Sequence, residues 1–317
     1  MRRLTLPITP ALAGKDVNTL LRKALKLSGS SVRRAKTLPD GILLDGQPVF
    51  TNARAGEGQT LSVFVGDTVL SEQIEPVAGP LDILYEDEDL LLINKDGRTP
   101  VHPSQGHHGD TLANFLMAYY ETIGLRAAFH PVNRLDRGTS GLMAVAKHPH
   151  AHELLQQQLQ DGRLTRTYLA VCEGVPESLA GVVDAPIARE PGSVLRRMVS
   201  PEGAAARTHY EVLEQANGRC LVRLQLETGR THQIRVHMTH LGCPLVGDFL
   251  YGTETAELPD RFALHSASIR LFQPISGEEL SLTSPLPPDL ARLLPGKRLP
   301  LIGELGAKQP EGCYPAR

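Results

Sequence analysis

One segment of the chain, residues 134–146, restricts the fold more than any other. It begins with a single carboxylate, Asp136, between the guanidinium groups of Arg134 and Arg137, and it ends in an apolar run over 142–146. The apolar run predicts a buried strand, whereas the flanking arginines are expected to keep the carboxylate ionised. The segment therefore predicts a charged Asp136 at the edge of a buried strand, which makes it a candidate catalytic group.

Basic residues are concentrated near the N-terminus, although the net charge of the chain is −2. Residues 1–40 contain nine Lys or Arg side chains and two acids. This asymmetry predicts a basic module joined to a more neutral body, and the alternative is a solvated charged helix face. The candidate RNA-binding residues of this module are Arg22, Lys23, Lys26, Arg33, Arg34 and Lys36.

The secondary structure predicted for this module is two short helices followed by a small sheet. Apolar residues spaced as in a helix occupy 17–25, and Ser30 or Ser31 is expected to cap a second helix. Asp45-Gly46 predicts a hairpin turn, and 61–65 predicts a further strand. Two basic helices before a small sheet resemble the S-four-like RNA-binding fold, over residues 12–66.

A Pro- and Gly-containing linker is predicted at 67–80, before a larger unit at 81–295. Short strands in series, with helices inserted near 111–120 and 150–160, predict an α+β body built on antiparallel sheet. Alternating apolar residues from Val222 to Leu226 predict a half-exposed strand. The tail at 296–317 is predicted to be irregular.

A second informative segment spans residues 226–238. Its Thr-Gly-Arg-Thr-His run predicts a strand ending at a turn, with Thr231 as the cap of the next helix. Arg230 would then lie at a strand-to-helix junction, where unpaired amides favour an anion. Arg230 alone is compatible with a phosphate clamp, a structural role or a place beside the catalytic acid.

Six separated motifs, in order, closely resemble the RluA/RluC/RluD family of RNA pseudouridine synthases. They lie at 85–95, 101–104, 133–137, 167–170, 228–235 and 264–265. The resemblance implies a catalytic domain built on a mixed, mainly antiparallel β-sheet with flanking helices, plus a small N-terminal α/β RNA-binding domain. It also implies that Asp136 is the catalytic carboxylate, that Tyr168 packs on the target base and that Arg230 pairs with Asp136. The residues of these motifs expected to contact RNA are Arg134, Arg137, His232 and Arg235.

Two positions depart from the common pattern of that family. Asn133 stands where many relatives have His, and Asp96 follows Lys95 where a proline is usual. Neither position belongs to the expected catalytic groups. The Asn133 departure is expected to alter base flipping or the choice of RNA.

The chemistry implied by the resemblance moves uracil from nitrogen to carbon attachment on one ribose, so it needs neither a cofactor nor a metal. The histidines lack metal-ligand spacing, and no phosphate-binding loop is present. The expected partner is RNA, ribosomal in preference to transfer RNA. A non-catalytic RNA-binding or ribosome-assembly factor and a glycoside hydrolase, which needs a second carboxylate, are the alternatives. Without a secretory signal, a membrane-length apolar run or a disulfide framework, a monomeric cytoplasmic protein is expected.

Overall fold

The computed structural model describes residues 2–68 and 74–294. In this part of the chain, the N-terminal unit is a four-stranded antiparallel sheet in the order β1-β4-β2-β3, with helical segments packed on it. Its elements are β1 (Arg3–Pro7), α1 (Val17–Thr19), a π-helical turn (Leu20–Ala24), α2 (Gly29–Lys36), β2 (Ile42–Leu44), β3 (Gln47–Pro48) and β4 (Thr60–Phe64).

The hairpin predicted at Asp45-Gly46 is confirmed, because both residues have positive φ, 48° and 77°, and join β2 to β3. The cap of α2 differs from the prediction. Ser28, rather than Ser30 or Ser31, accepts the amide hydrogen of Ser31. Strand β1 was not predicted. It lies before residue 12, the predicted start of this unit, yet it pairs along its whole length with β4. The likeness of this unit to the S-four-like fold remains a prediction.

The larger unit contains twelve strands and four helices among the described residues. They are β5 (Ile83–Glu86), β6 (Leu90–Lys95), α3 (Leu112–Thr122), β7 (His130–Pro131), β8 (Ser140–Ala146), α4 (Pro149–Gln160), β9 (Thr165–Glu173), β10 (Ala180–Asp184), β11 (Ile187–Arg189), β12 (Arg197–Val199), β13 (Arg207–Ala216), β14 (Arg219–Leu226), α5 (Gln233–His240), β15 (Leu264–Phe272), β16 (Glu279–Thr283) and α6 (Pro288–Ala291).

Ten of these strands form one sheet. Eight of them follow the order β10-β13-β14-β9-β15-β8-β6-β5, and β16 and β7 pair beside this path. Strand β16 pairs with β15, β7 pairs with β8, and β11 and β12 form a separate hairpin. Only β8 and β15 run parallel among the pairs described, so the predicted α+β fold on a mixed, mainly antiparallel sheet is confirmed. Gly141 is required at that parallel pairing: its φ is 102°, and a Cβ would overlap the carbonyl of Ser266.

The helices begin where side chains satisfy their first amides. Thr111 accepts the Asn114 amide hydrogen, and the Asn114 side chain accepts that of Thr111. Helix α4 confirms the helix predicted near 150–160, and the Nδ1 of His148 caps it by accepting the amide hydrogen of Ala151. Strand β8 is buried along its whole length, as its apolar run predicts.

Asp89 joins the two units from a buried position beside β6. Arg2, which precedes β1, donates to both of its carboxylate oxygens, at 2.7 and 3.2 Å. The Nε2 of His148 and the amide of Gln273 also donate to Asp89, at 2.9 and 2.7 Å. Burial would raise the pKa of Asp89, but these donors together lower it to about 2. The ionised carboxylate therefore holds three separate segments together.

A second contact between the units involves Asp67, at the start of the predicted linker. Its carboxylate accepts the amide hydrogen of Ala128, at 2.9 Å, and contacts Nε2 of His130 at 2.9 Å. Residues 69–73 of that linker and the predicted tail at 296–317 lie outside the described residues. Asp67 thus connects the end of the N-terminal sheet to the strand that leads to Asp136.

No helix in residues 2–68 and 74–294 is long and apolar enough to cross a membrane. Within the same ranges, no group of three or more His, Cys, Asp or Glu side chains is placed to hold a metal ion. Cys172, Cys220 and Cys243 are buried and free.

We expect Asp89→Asn to lower the free energy of unfolding by about 3 kcal/mol, since it leaves buried donors facing an amide NH₂ group. The depressed pKa predicts stabilisation that is fully present above the ordinary value of 3.8 and lost as the pH falls through about 2. Urea unfolding at several pH values measures both effects. Glu88→Gln is the control, because Glu88 also pairs with Arg2 but its side chain is 78% exposed. Equal stability of the two variants would contradict a structural role for Asp89.

Candidate active site

A cleft of about 650 Å³ opens beside the loop that carries Asp136. Its walls come from residues 131–136, from one face of α4, from β9 and from residues 226–231. The polar side chains that line it are His102, Asn133, Arg134, Asp136, Gln156, Gln160, Arg166, Tyr168, Glu227, Thr228, Arg230 and Thr231. The volume lies within the range of about 300–1,000 Å³ that is usual for small-molecule sites.

The Asp136 loop connects β7 to β8 and is anchored on both sides. On the β7 side, Oδ1 of Asn133 accepts the amide hydrogen of Ala144 at 2.9 Å, which extends the pairing with β8. On the other side, the amide of Thr139 donates to the carbonyl of Asp136 at 3.0 Å. Asn133 is buried, so its amide serves to hold the loop against the sheet.

Lys95 holds the same loop by hydrogen bonds from its side chain to backbone carbonyls. Its buried Nζ donates to the carbonyls of Asp96, Thr99 and Arg137, at 2.5, 2.9 and 3.4 Å. Burial lowers the pKa of Lys95 to about 7. The carboxylate of Asp96 accepts the amide hydrogens of Arg98 and Thr99. These bonds close the turn that presents the carbonyls of Asp96 and Thr99 to Lys95.

Asp136 is half-buried in the cleft, and its Oδ2 is approached by two cationic or polar groups. The NH1 of Arg235 lies 3.5 Å away and Nε2 of His232 lies 4.0 Å away. Arg230 was expected to pair with Asp136, but the guanidinium within ion-pair distance of this carboxylate is that of Arg235. The side chain of Arg230 is exposed at the cleft, where its Nε donates to the carbonyl of Ala205 at 2.9 Å.

Arg235 is held by a buried carboxylate. Its Nε and NH2 donate to the two oxygens of Asp248, both at 2.7 Å, in the bidentate geometry that guanidinium favours. Burial would lower the pKa of Arg235, but Asp248 and Asp136 raise it above its ordinary value. The ring of Phe262 lies against the guanidinium, 4.1 Å from its carbon to the ring centroid.

This geometry also corrects the expectation that Arg235 contacts RNA, because its side chain is 3% exposed. Gly138 permits the arrangement, since a Cβ there would overlap the ring of Phe262. The aromatic contact therefore couples the backbone of the Asp136 loop to the guanidinium that faces it.

The turn before α5 differs from the predicted one. His232, not Thr231, is the N-cap residue, and it has left-handed backbone angles of φ 57° and ψ 21° without a side-chain capping bond. Gln233 holds the turn instead: its Oε1 accepts the amide hydrogen of Arg230, and its Nε2 donates to the carbonyl of Arg207, both at 3.0 Å. Arg235 consequently falls on the buried face of α5.

The remaining predicted residues fall into buried and exposed sets. Tyr168, in the middle of β9, is buried and lines the cleft with Asp136. Arg134 and Arg230 are exposed at the cleft, whereas Arg137 is exposed beside it. Five of the six N-terminal basic side chains are exposed, and Arg34 is half-buried.

Sequence reasoning missed three residues that shape the site, namely Lys95, Asp248 and Phe262. Lys95 stands in a recognised motif, but nothing in the motif indicates that its ammonium binds the Asp136 loop. Asp248 is fully buried, and a lone acid in a loop-like sequence gives no sign of that burial.

Comparison with known proteins identifies the family. Residues 89–240 match the model of the RNA pseudouridylate synthase family. The "Uncharacterized RNA pseudouridine synthase YjbO" of Bacillus subtilis (strain 168) is 44% identical over 258 residues, which cover 81% of this chain and 90% of that protein. The chain belongs to the RNA pseudouridine synthase family.

Two further relatives agree with this identification. "Ribosomal large subunit pseudouridine synthase D" of Escherichia coli (strain K12) is 43% identical over 235 residues, which cover 70% of this synthase and 72% of that one. The solved structure of human RNA pseudouridylate synthase domain containing 4 covers 66% of this chain and 90% of its own, with 28% identity and a TM-score of 0.53. The protein is therefore an isomerase, as the resemblance of its motifs implies.

We expect Arg235→Lys to lower kcat by about 100-fold, because an ammonium cannot bond both oxygens of Asp248 and still face Asp136. Arg230→Lys is the matched control. It keeps the charge at the cleft mouth, so it should change kcat less than about 3-fold. Tritium release from RNA labelled at carbon 5 of uridine measures both rates. A larger loss of kcat in the Arg230 variant would restore Arg230 as the partner of Asp136.

Proposed function

We propose that this synthase converts uridines of large-subunit ribosomal RNA to pseudouridine, with Asp136 acting on the ribose of a flipped-out uridine. The observation that carries the proposal is the placement of Asp136, recessed in a cleft of about 650 Å³ with Arg235 3.5 Å from its Oδ2. A base within a helix cannot reach a carboxylate placed in this way, so the target nucleotide must leave its stack.

The reaction breaks the bond between the ribose and N1 of uracil, turns the base and joins it through carbon 5. A single ionised carboxylate serves either route to this product, by attack on the anomeric carbon or by removal of the adjacent ribose proton. Both routes need the carboxylate held in one orientation. The buried guanidinium of Arg235 supports that requirement, since it places a fixed opposite charge 3.5 Å from Oδ2 of Asp136.

Tyr168 and two exposed arginines supply the other expected functions. The ring of Tyr168 forms part of the wall beside Asp136, where a flipped base can pack on it. Arg134 and Arg230 are exposed at the same cleft, where their guanidinium groups suit the phosphates on either side of the target. Arg230 then acts as the phosphate clamp that was one reading of its sequence position.

Ribosomal RNA is favoured as substrate by the name of the Escherichia coli relative, a ribosomal large subunit pseudouridine synthase that is 43% identical. Transfer RNA is the second candidate. A binding protein without activity has no need of a recessed carboxylate ion-paired to a buried arginine. A hydrolase needs a second acid in the cleft; Glu227 lies there, but it is engaged by His209 at 2.5 Å and by Arg207 at 3.3 Å.

The N-terminal unit is proposed to bind RNA outside the cleft. Its exposed basic side chains lie on the π-helical turn and α2 and in the segment between them, and they include Lys23, Lys26 and Lys36. Arg2 and Asp67 connect this unit to the larger one. RNA bound by the unit would thereby be held at a defined position relative to the cleft.

Mapping of pseudouridines in cellular RNA, with and without this protein, tests the substrate. We expect specific sites in large-subunit ribosomal RNA to disappear without the protein and to return with the wild-type chain. Asp136→Asn should restore none of them, because an amide is neither a nucleophile nor a base for this reaction. Loss of sites in transfer RNA alone would instead identify transfer RNA as the substrate.

The same variant should bind RNA with nearly unchanged affinity, which separates a catalytic defect from a folding or binding defect. Asp161→Asn is the control, since Asp161 forms an exposed ion pair with Arg163 outside the cleft. It should restore every site. Turnover by the Asp136 variant at more than a small fraction of the wild-type rate would refute the proposed role of Asp136.

We expect the triple substitution of Lys23, Lys26 and Lys36 by Gln to weaken RNA binding and to reduce its salt dependence. Each lost phosphate contact should reduce the slope of log K against log salt by about 0.7–0.9. Fluorescence anisotropy at several salt concentrations measures this slope. Arg163→Gln removes one exposed charge from the larger unit and is the control. An unchanged slope in the triple variant would refute RNA binding by the N-terminal unit.

A further inference from the structure

His232 has a left-handed backbone conformation, which few residues other than glycine adopt. Its φ of 57° and ψ of 21° lie in the left-handed region, which glycine and asparagine tolerate better. The side chain does not bond to the helix it precedes. The side chain of His232 therefore makes its contacts within the site and not with the helix.

One ring nitrogen of His232 contacts a tyrosine. Nδ1 lies 2.9 Å from the hydroxyl of Tyr251, and the two rings meet edge to face. The backbone N–H of Arg197 donates to the same hydroxyl oxygen at 2.8 Å. Since that oxygen already accepts from Arg197, its own proton is available for Nδ1. This arrangement favours the tautomer of His232 that carries its proton on Nε2.

The other ring nitrogen faces the catalytic candidate. Nε2 of His232 lies 4.0 Å from Oδ2 of Asp136, and its side chain is 15% exposed. Burial lowers the pKa of His232 below its ordinary value, which favours the neutral ring. A proton on Nε2 would therefore face the Asp136 carboxylate across 4.0 Å, a distance longer than a direct hydrogen bond.

Arg235, in the first turn of α5 three residues after His232, approaches the same carboxylate oxygen. Its Nε and NH2 are occupied by Asp248, so NH1 is the nitrogen left to face Oδ2 of Asp136, at 3.5 Å. In both pairs the closest oxygen is Oδ2. The two nitrogens lie nearest the same oxygen, at 3.5 and 4.0 Å, so their electrostatic field favours one orientation of the carboxylate.

We propose that His232, held in its Nε2–H tautomer by Tyr251, is a positioning residue that orients Asp136 toward the ribose of the target uridine. The inference rests on the proposed role of Asp136 and replaces the expectation that His232 binds RNA. In this proposal Arg235 is the counter-ion of the carboxylate, and His232 sets the orientation of the carboxylate. The hydroxyl of Tyr251 acts through His232, whereas its ring lies 5.0 Å from the guanidinium carbon of Arg235.

Two neutral substitutions of His232 separate positioning from a purely structural role. In His232→Gln the amide nitrogen can occupy the place of Nε2, whereas in His232→Asn it reaches only the place of Nδ1. We expect the Asn variant to lose about 100-fold in kcat, as for a misplaced catalytic group, with KM and RNA affinity unchanged. The Gln variant should retain activity within about 10-fold of wild type.

A structural role predicts the opposite order, because asparagine tolerates the left-handed backbone better than glutamine does. Higher kcat in the Asn variant than in the Gln variant would therefore overturn the proposal. An increase in KM or in the RNA dissociation constant without loss of kcat would also overturn it, in favour of an RNA contact.

The tautomer is measured independently of activity. Long-range ¹H–¹⁵N correlation spectra of protein labelled with [¹⁵N]histidine, with His232→Gln used for assignment, should show a protonated Nε2 and an unprotonated Nδ1 at His232. Tyr251→Phe should shift this ring toward the other tautomer and lower kcat about 10-fold, an effect typical of an outer-shell partner. A protonated Nδ1 in the wild-type protein would refute the proposal.

These outcomes remain distinguishable from failure of the proposed function. If Asp136→Asn abolishes turnover while His232→Asn does not lower it, only the inference about His232 fails. If Asp136→Asn retains full turnover, the role of Asp136 fails whatever the tautomer of His232.

Discussion

The buried pair of Asp248 and Arg235 is the interaction on which the site depends. Asp248 is fully buried, so its charge requires a partner, and the bidentate guanidinium provides one at 2.7 Å on both oxygens. That commitment uses Nε and NH2 and leaves NH1 facing Asp136. Since burying two charges seldom stabilises a fold more than apolar packing would, the pair is better explained by the fixed orientation it imposes on Arg235.

The buried and exposed arginines of the site consequently have different tasks. Arg235 is enclosed by Phe262 and Asp248. It cannot move toward RNA without leaving the buried carboxylate of Asp248 without its charge partner. Arg134 and Arg230 are exposed at the cleft, where a guanidinium can follow a flexible backbone. One short motif therefore contains two arginines with different surroundings. Arg230 lies in an exposed turn held by Gln233, and Arg235 lies in the buried part of α5.

Sequence patterns predicted local features of this chain well, because those features depend on neighbouring residues. The Asp45-Gly46 turn, helix α4 and the buried strand β8 follow from spacing and turn chemistry. Strand β1 was missed because its pairing partner, β4, lies more than fifty residues away in the sequence. The partner of Asp136 was misassigned for the same kind of reason. Which arginine turns inward depends on the left-handed backbone at His232 and on Asp248, and neither is encoded by local periodicity.

Asn133 anchors the Asp136 loop to the central sheet. Its Oδ1 takes the place of a strand carbonyl by accepting the amide hydrogen of Ala144, directly after β7 ends. Its side chain is buried at the wall of the cleft, and the expectation that it alters base flipping or the choice of RNA stays a prediction. Lys95 and Gly138 hold the same loop from two further directions. A carboxylate anchored in this way loses little freedom when RNA binds, so the cost of orienting Asp136 is met during folding and not during each catalytic cycle.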